Sequence, residues 1–515
     1  MAGCWQFQWK VWRRAVSCAC LALCLLVGCD RTPEVDELVA PAPGISPPEV
    51  VREFRGVWIP TVANLCWPSK PGLSVAEQQA ELLALLDEAL ELRQNAVILQ
   101  VRPASDAFYQ SAIEPWSEYL TGKQGQAPSP FYDPLEFAVN EAHRRGLELH
   151  AWFNPFRVRS LKIAAEAADS HVSKRHPDWV RKYGSLLWLD PGELDAQEYT
   201  LRVVLDVVRR YDIDAVHFDD YFYPYPEKDK KGRYLDFPDE SSWKRFGAET
   251  GLSRSDWRRR NVDEFVQRVY REIHDVKPRM KFGISPFGIW RPNHPDTIAG
   301  LDAYEALYAD ARKWLREGWC DYVAPQLYWT IDHPPTSFPV LLDWWTEQSV
   351  RERHVFPGLN ALKVGGEWPV EEIARQIGFT RSQPKAGGQI LWSASAYRNS
   401  KALRDELAGN VYGEPALVPR FAWLDATAPS MPSLKVDVLE GGYEASWEST
   451  GEEEAWLWAL QYREGGDWKT RILPKGETNI QLAASIDAVV VRAVDRSGNA
   501  SLPAVLEAGP QIEGE

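Results

Sequence analysis

The sequence predicts an α/β fold: a (β/α)8 TIM-type barrel followed by a small all-β sandwich. Three observations carry this expectation. From residue 52 to residue 423, short β-branched or aromatic runs alternate with amphipathic helical stretches, as βα units around a parallel sheet require. Eight such runs fit within about 370 residues, the size of a barrel with long loops. Beyond residue 424 the helical period disappears, and short alternating strands recur to residue 509.

In chain order, residues 1–28 read as a secretory segment. Lys10, Arg13 and Arg14 precede an apolar stretch, Ala15 to Val27, too short for a comfortable membrane span. The stretch ends in Leu26-Val27-Gly28-Cys29, which resembles a bacterial lipobox, with Cys29 as the lipidated residue. The expectation is a lipid-anchored protein of the cell envelope, facing the periplasm or exterior. Residues 29–51, with Pro33, Pro41, Pro43, Pro47 and Pro48, read as an extended tether.

The expected barrel strands are Gly56–Thr61, Ala96–Val101, Leu147–Phe153, Asp214–Phe218, Lys281–Ser285, Tyr322–Leu327, Val355–Leu359 and Gln389–Ser393. Expected helices between them include 75–92, with Leu82, Leu85, Leu86 and Leu90 on one face, and 133–145, opened by Asp133 as N-cap and Pro134. The segment 424–509 supplies the sandwich strands 443–447, 456–462, 480–482 and 488–494, and 510–515 forms a tail.

Composition narrows the function. The chain has 58 basic and 73 acidic residues, and removing residues 1–28 moves the net charge from -15 to -18. That balance argues against nucleic acid as the partner. Five of seven Cys fall within residues 1–29, so only Cys66 and Cys320 remain, enough for one disulfide and too few for a Cys-based zinc site. No GxGxxG follows a strand, and no cofactor is implied. The 24 Trp suit both core packing and stacking against sugar faces.

In a barrel of this kind the active site lies at the C-terminal strand ends. There the sequence places Arg102 and Asp106 after the second strand, Trp152 and Asn154 at the third, and Asp219, Asp220, Tyr221 and Tyr223 after the fourth. Trp290 follows the fifth strand, Gln326 and Tyr328 the sixth, and Trp392 the eighth. Asp219-Asp220 is the sharpest feature. Crowded carboxylates raise the pKa of one of them, giving a charged group beside a proton donor, as glycoside hydrolysis needs.

The stretches Arg55-Gly56-Val57-Trp58-Ile59, Gln100-Val101-Arg102-Pro103, Ala151-Trp152-Phe153-Asn154-Pro155, His217 to Pro224, Gly283 to Trp290 and Ala324 to Trp329 resemble the glycosyl-hydrolase-like family ten of bacterial secreted and lipid-anchored proteins. The resemblance spans residues 53–423. It implies the barrel fold and glycosidase activity, most naturally on peptidoglycan glycan strands. One departure is Cys66, where an Asp is expected. The segment after residue 424 resembles a fibronectin type III module.

Adjacent Asp pairs at this strand end also occur in hexosaminidases that use the substrate's own acetamido group. The expected roles are Asp219 orienting that acetamido group and Asp220 acting as general acid, or the reverse. Tyr328 would bond the acetamido oxygen, while Arg102, Asn154 and Gln326 would bind hydroxyls or a lactyl carboxylate. A direct double displacement would instead need a second carboxylate, for which Asp106 is the candidate. Two further readings remain open at this point. One is a metal-dependent polysaccharide deacetylase using His150, His217 and the Asp pair. The other is a non-catalytic peptidoglycan-binding lipoprotein. The charged run Lys228 to Arg233 reads as a solvated loop or a cleft wall, and Ser285 shows no acid–base partner nearby in sequence.

Overall fold

A computed structural model of the chain describes residues 45–163 and 166–507. The expected secretory segment, the expected lipidation position Cys29 and the expected tail from 510 lie outside the described residues.

The barrel strands are β1 (Phe54–Ile59), β2 (Ala96–Arg102), β3 (Glu148–Phe153), β4 (Ala215–Phe218), β5 (Lys281–Ile284), β6 (Tyr322–Val323), β7 in two pieces (His354–Val355 and Gly358–Leu359) and β8 (Gly388–Leu391). All pair in parallel, and β8 returns to β1. The ring closes through β7: its first piece pairs with β6 and its second with β8. Pro357 lies between the pieces, and a proline has no N–H to give a ladder. The expected sixth strand is correspondingly shorter than its apolar run suggests, because Pro325 interrupts it.

Side chains of one parity fill the barrel. Phe54, Trp58, Ile98, Trp152, Tyr322, Phe356 and Ile390 form one buried cluster. Gly283 in β5 is required by this packing, since a Cβ there would sit 1.9 Å from the Tyr322 ring. Polar groups in the same interior form a directed chain. Trp58 Nε1 donates to His217 Nε2 at 3.2 Å, and the Tyr322 hydroxyl joins His217 Nδ1 (2.9 Å) to His150 Nδ1 (2.8 Å). His150 Nε2 then reaches Glu148 Oε2 at 3.0 Å. An indole N–H can only donate, so it sets the direction of every proton along the chain and keeps His217 neutral. Burial, then the neighbouring His150, lowers the His217 pKa well below its ordinary value.

Amphipathic helices surround the strands. In α1 (Val75–Glu91) Leu82, Leu85 and Leu86 are buried, and Ser74 forms the capping box with Glu77. Leu90 is exposed, since it lies at the edge of that stripe while Ala89 takes the buried position. In α2 (Pro134–Arg144) Asp133 caps as expected, accepting from Leu135 N at 3.0 Å and Glu136 N at 3.1 Å.

Among the described residues, the C-terminal module holds seven strands in two antiparallel sheets. One contains Ser433–Leu439, Gly442–Glu448 and Asn479–Ala483; the other contains Asp467–Pro474, Leu457–Glu464, Ile486–Val494 and Ala504–Glu507. This is the sandwich architecture of fibronectin type III modules. The strand 457–464 is buried on both faces near its start. Trp458 and Leu460 enter the sandwich core, while Leu457 and Ala459 join Leu417 in a second cluster at the barrel.

The sandwich sits under the N-terminal ends of the barrel strands. Arg496 bonds Asp212 at 2.8 Å and lies 3.4 Å from Asp214, just before β4, with its guanidinium over Trp456. Trp456 in turn packs edge-on against His143 at the end of α2. The linking segment enters the barrel floor, where Val418 and Phe421 join the interior cluster. Ile45 is buried against Ala488 and Val490, and the Pro48 carbonyl accepts from Gln461 at 2.8 Å. The last residues of the expected tether thus lie along the sandwich.

Candidate active site

The C-terminal mouth of the barrel gathers the acidic pair and a set of fixed donors. Asp219 continues the inward parity of His217, two residues before it in chain order. Its Oδ2 accepts from Trp152 Nε1 at 3.1 Å and from Asn154 Nδ2, and its Oδ1 accepts from the Tyr221 backbone N–H at 3.2 Å. Asn154 is itself held by Gln100. Asp220 points the other way along the chain yet stays 3% exposed, because the backbone bends after β4. Its Oδ2 accepts from the Tyr225 hydroxyl, and Gln326 also hydrogen-bonds it. Gln326 is anchored in turn by donating to the Ser285 carbonyl at 3.1 Å.

Burial raises the pKa of both carboxyls, and the charge on Asp220 lifts Asp219 further, to about 7. The pair therefore keeps a proton up to neutral pH. That proton belongs to the pair rather than to either residue.

Trp152, Asn154, Tyr221, Gln326, Tyr328 and Trp392 converge with Asp219 and Asp220 at this mouth. Trp392 packs edge-on against Trp152 and Trp58, each at 6.0 Å. Tyr328 stands close enough for the Asp220 charge, after burial, to raise its hydroxyl pKa.

Four expected binding residues lie elsewhere. Arg102 is fully buried in a bidentate pair with Glu114 (Nε–Oε2 2.9 Å, Nη2–Oε1 2.6 Å), and its Nη1 donates to the carbonyls of Asn154 and Pro155. The β2–β3 register shifts between Gln100 and Arg102, and such a bulge re-aims the side chain that follows. Arg102 therefore holds the Asn154 turn and does not reach the cleft. Asp106 is wholly buried among its own loop's groups, accepting from Ala104 N at 3.1 Å with Ser117 and Gln124 beside it. That enclosure removes the expected second carboxylate for a double displacement. Tyr223 is buried between Phe237 and Tyr308. Trp290 donates to Asp310 at 3.0 Å and stacks on Trp344, so it packs the loop after β5.

Two groups at the site were not anticipated. Arg157, just beyond Asn154, lies 4.1 Å over the Tyr221 ring; its charge favours ionisation of both carboxyls, and its buried Nε has no hydrogen-bond partner among the described residues. Tyr225 belongs to the run Tyr221-Phe222-Tyr223-Pro224-Tyr225-Pro226, whose alternating aromatics were the available signal. Ser285, for which no sequence neighbour served as a base, lies 3.2 Å from His217 Nε2, the nitrogen already taking the Trp58 N–H. Cys66 is a buried free thiol beside Ser395, and Cys320 is also free and buried.

The deacetylase reading loses its ligands here. Each ring nitrogen of His150 and His217 is already engaged within the barrel interior. Among the described residues, the group with suitable spacing for a cation is Asp425, Glu453 and Asp495, beneath the barrel, where Arg279 pairs with the first two.

Residues 53–372 match the family described as Glycosyl hydrolase-like 10. The chain is 43% identical over 396 residues to the glycosyl hydrolase YngK of Bacillus subtilis (strain 168), covering 74% of this chain and 76% of that one. It is 35% identical over 416 residues to the glycosyl hydrolase DigH of Escherichia coli (strain K12), covering 74% and 92%. Among solved structures, the PgaB (BpsB) glycoside hydrolase domain from Bordetella bronchiseptica aligns at 15% identity with a TM-score of 0.44, over 70% of this chain and 99% of that one. With the family matched from β1 through the second piece of β7, and two relatives at 43% and 35% identity, the chain is a member of the glycosyl hydrolase-like 10 family.

Proposed function

We propose that the protein is a glycoside hydrolase acting on the O-glycosyl bonds of a 2-acetamido polysaccharide, peptidoglycan glycan strands in particular. The observation that carries this reading is the buried Asp219–Asp220 pair at the barrel mouth, with Trp152 and Asn154 fixed on one carboxyl and Tyr225 on the other. The names of the two relatives support hydrolysis of a glycan.

The chemistry follows from the partners of each carboxyl. Trp152, Asn154 and the Tyr221 N–H can only donate to Asp219 in this arrangement. An acetamido N–H from the substrate adds a further donor, holding Asp219 ionised and leaving the proton on Asp220. Tyr225, being a hydroxyl, can either donate to or accept from Asp220. Asp220 then gives its proton to the leaving glycosidic oxygen as the C–O bond breaks. The substrate's acetamido oxygen closes on the anomeric carbon, and Asp219 offsets the positive charge that develops on the acetamido group. Water then opens this ring and returns its proton to Asp220. This is the substrate-assisted exception to the two-carboxylate scheme, and it needs no second carboxylate across the cleft. Arg157, whose Nε has no hydrogen-bond partner among the described residues, is the cation beside the pair that suits a lactyl carboxylate.

In the same reading, Cys29 carries a lipid anchor that holds the protein at the cell envelope. Mass spectrometry of products from intact and peptide-stripped peptidoglycan tests the activity, with Asp219→Asn/Asp220→Asn as control. Equal product from wild type and the double variant would sink it. A thiazoline analogue should inhibit; its failure to do so would remove the substrate-assisted step.

A further inference from the structure

A concavity lined in part by Tyr225, the residue that bonds Asp220, lies beside the loop after β4. It has a volume of about 660 Å³, within the range of ligand pockets of about 300–1,000 Å³. One wall is the loop after β4, with Tyr225, Tyr234 and Leu235; the other is the loop after β5, with Asp302 and Tyr308. Tyr225 links the acidic pair and this groove, since its hydroxyl bonds Asp220 and the residue is part of the groove's lining.

The β4 loop is braced. Lys228 bridges to Tyr234 with its ammonium 4.8 Å from that ring, and Asp229 pairs with Arg233. The Tyr183 hydroxyl donates to the Leu235 carbonyl at 3.2 Å and accepts from Glu227 N at 3.0 Å. Tyr234 is nonetheless 69% exposed, a large aromatic surface at the groove's outer end. A core explanation serves Tyr223 and Phe237, which are buried, but not Tyr234.

We propose that this groove binds further sugars of the same glycan chain beyond the bond that is cut, so that the enzyme engages its substrate within long strands. The proposal rests on the glycan reading above. Continuity through Tyr225 commits the groove to the chain lying over Asp220. Aromatic rings present flat apolar faces to the C–H faces of pyranose rings, and the carboxylates of Asp236 and Asp302 at the walls accept hydroxyl and amide protons. Asp236 is paired with Arg258 at 2.8 Å and Asp302 with Arg291 at 3.2 Å, so the lining carries little uncompensated charge, which suits uncharged sugar units.

The test uses the full chain and β-1,4-linked N-acetylglucosamine oligomers of two, four and six units, with affinity measured by titration calorimetry. In the wild type, affinity should rise with chain length. Tyr234→Ala should weaken hexamer binding about 5- to 10-fold, leave dimer binding unchanged, and abolish the gain with length. Tyr234→Phe should behave as wild type. Equal wild-type affinity at all lengths, or hexamer binding unaltered by Tyr234→Ala, overturns the proposal. Product analysis of the same mixtures separates the two readings. Length-dependent binding with no product would sink hydrolysis of this glycan and leave the groove standing. Cleavage with length-independent binding would sink the groove alone.

Discussion

Arg102 grips Glu114 through Nε and Nη2 with neither side chain exposed, while its Nη1 holds the carbonyls of Asn154 and Pro155. A cation at a strand end thus fixes the turn from which Asn154 reaches Asp219 of the acidic pair. Glu114→Ala strands a buried guanidinium and should destabilise the fold by about 3–5 kcal/mol. Denaturant unfolding reads this directly; a midpoint equal to wild type would contradict the assignment.

Asp219→Asn and Asp220→Asn should each lower kcat by about 10²–10⁴-fold. Because the two act as a unit, the double variant should lose little more than the worse single one. Additive losses would mean that the carboxyls act independently.

The raised carboxyl pKa values set a bell-shaped pH profile. Asp219 is lifted to about 7, so the pair loses its last proton as pH rises through about 7, and kcat/KM should fall there for want of a general acid. At low pH both groups are protonated, and the rate should fall again for want of the charged orienting group. A flat profile between pH 5 and 9 would exclude proton transfer by the pair.

Arg157→Gln removes the cation that favours ionisation of both carboxyls. Its alkaline limb should move upward by about one pH unit, the lower end of the usual effect of a nearby opposite charge. KM for lactyl-bearing glycan should rise while that for N-acetylglucosamine oligomers stays near wild type. Equal changes with both substrates would assign Arg157 to positioning alone.

Arg496→Ala loosens the junction between sandwich and barrel by removing the Asp212 bond and the Trp456 contact. The expected fall in Tm is roughly 2 °C, for about 1 kcal/mol. Against the opposing effect of burial, His143 and then Arg496 hold Asp214 below its ordinary 3.8. Its stabilisation is present above that value and lost progressively as pH falls below it, so Asp214→Asn should cost most stability near pH 7 and less towards pH 3. A constant difference between Asp214→Asn and wild type from pH 7 to pH 3 would count against the ion cluster.

The sequence made the barrel legible because its strands are short, apolar and regularly spaced, and because Asp219, Asn154 and Trp152 follow the inward parity of their strands. It misplaced Arg102 because a one-residue bulge changes where a side chain points without changing its distance from the strand. Tyr225 escaped notice because it returns to Asp220 from five residues downstream, through a bend that no periodicity encodes. In the sandwich, the strand 467–474 was missed because Lys469 and Arg471 alternate with half-buried residues along a mostly solvent-facing edge.

The placement of Ile45 against Ala488 and Val490 gives the molecule a polarity. The chain enters by way of the sandwich, which lies under the barrel floor, while the carboxylates open at the opposite end. Residue 45 and the acidic pair therefore lie at opposite ends of the described structure, with the sandwich and the whole depth of the barrel between them.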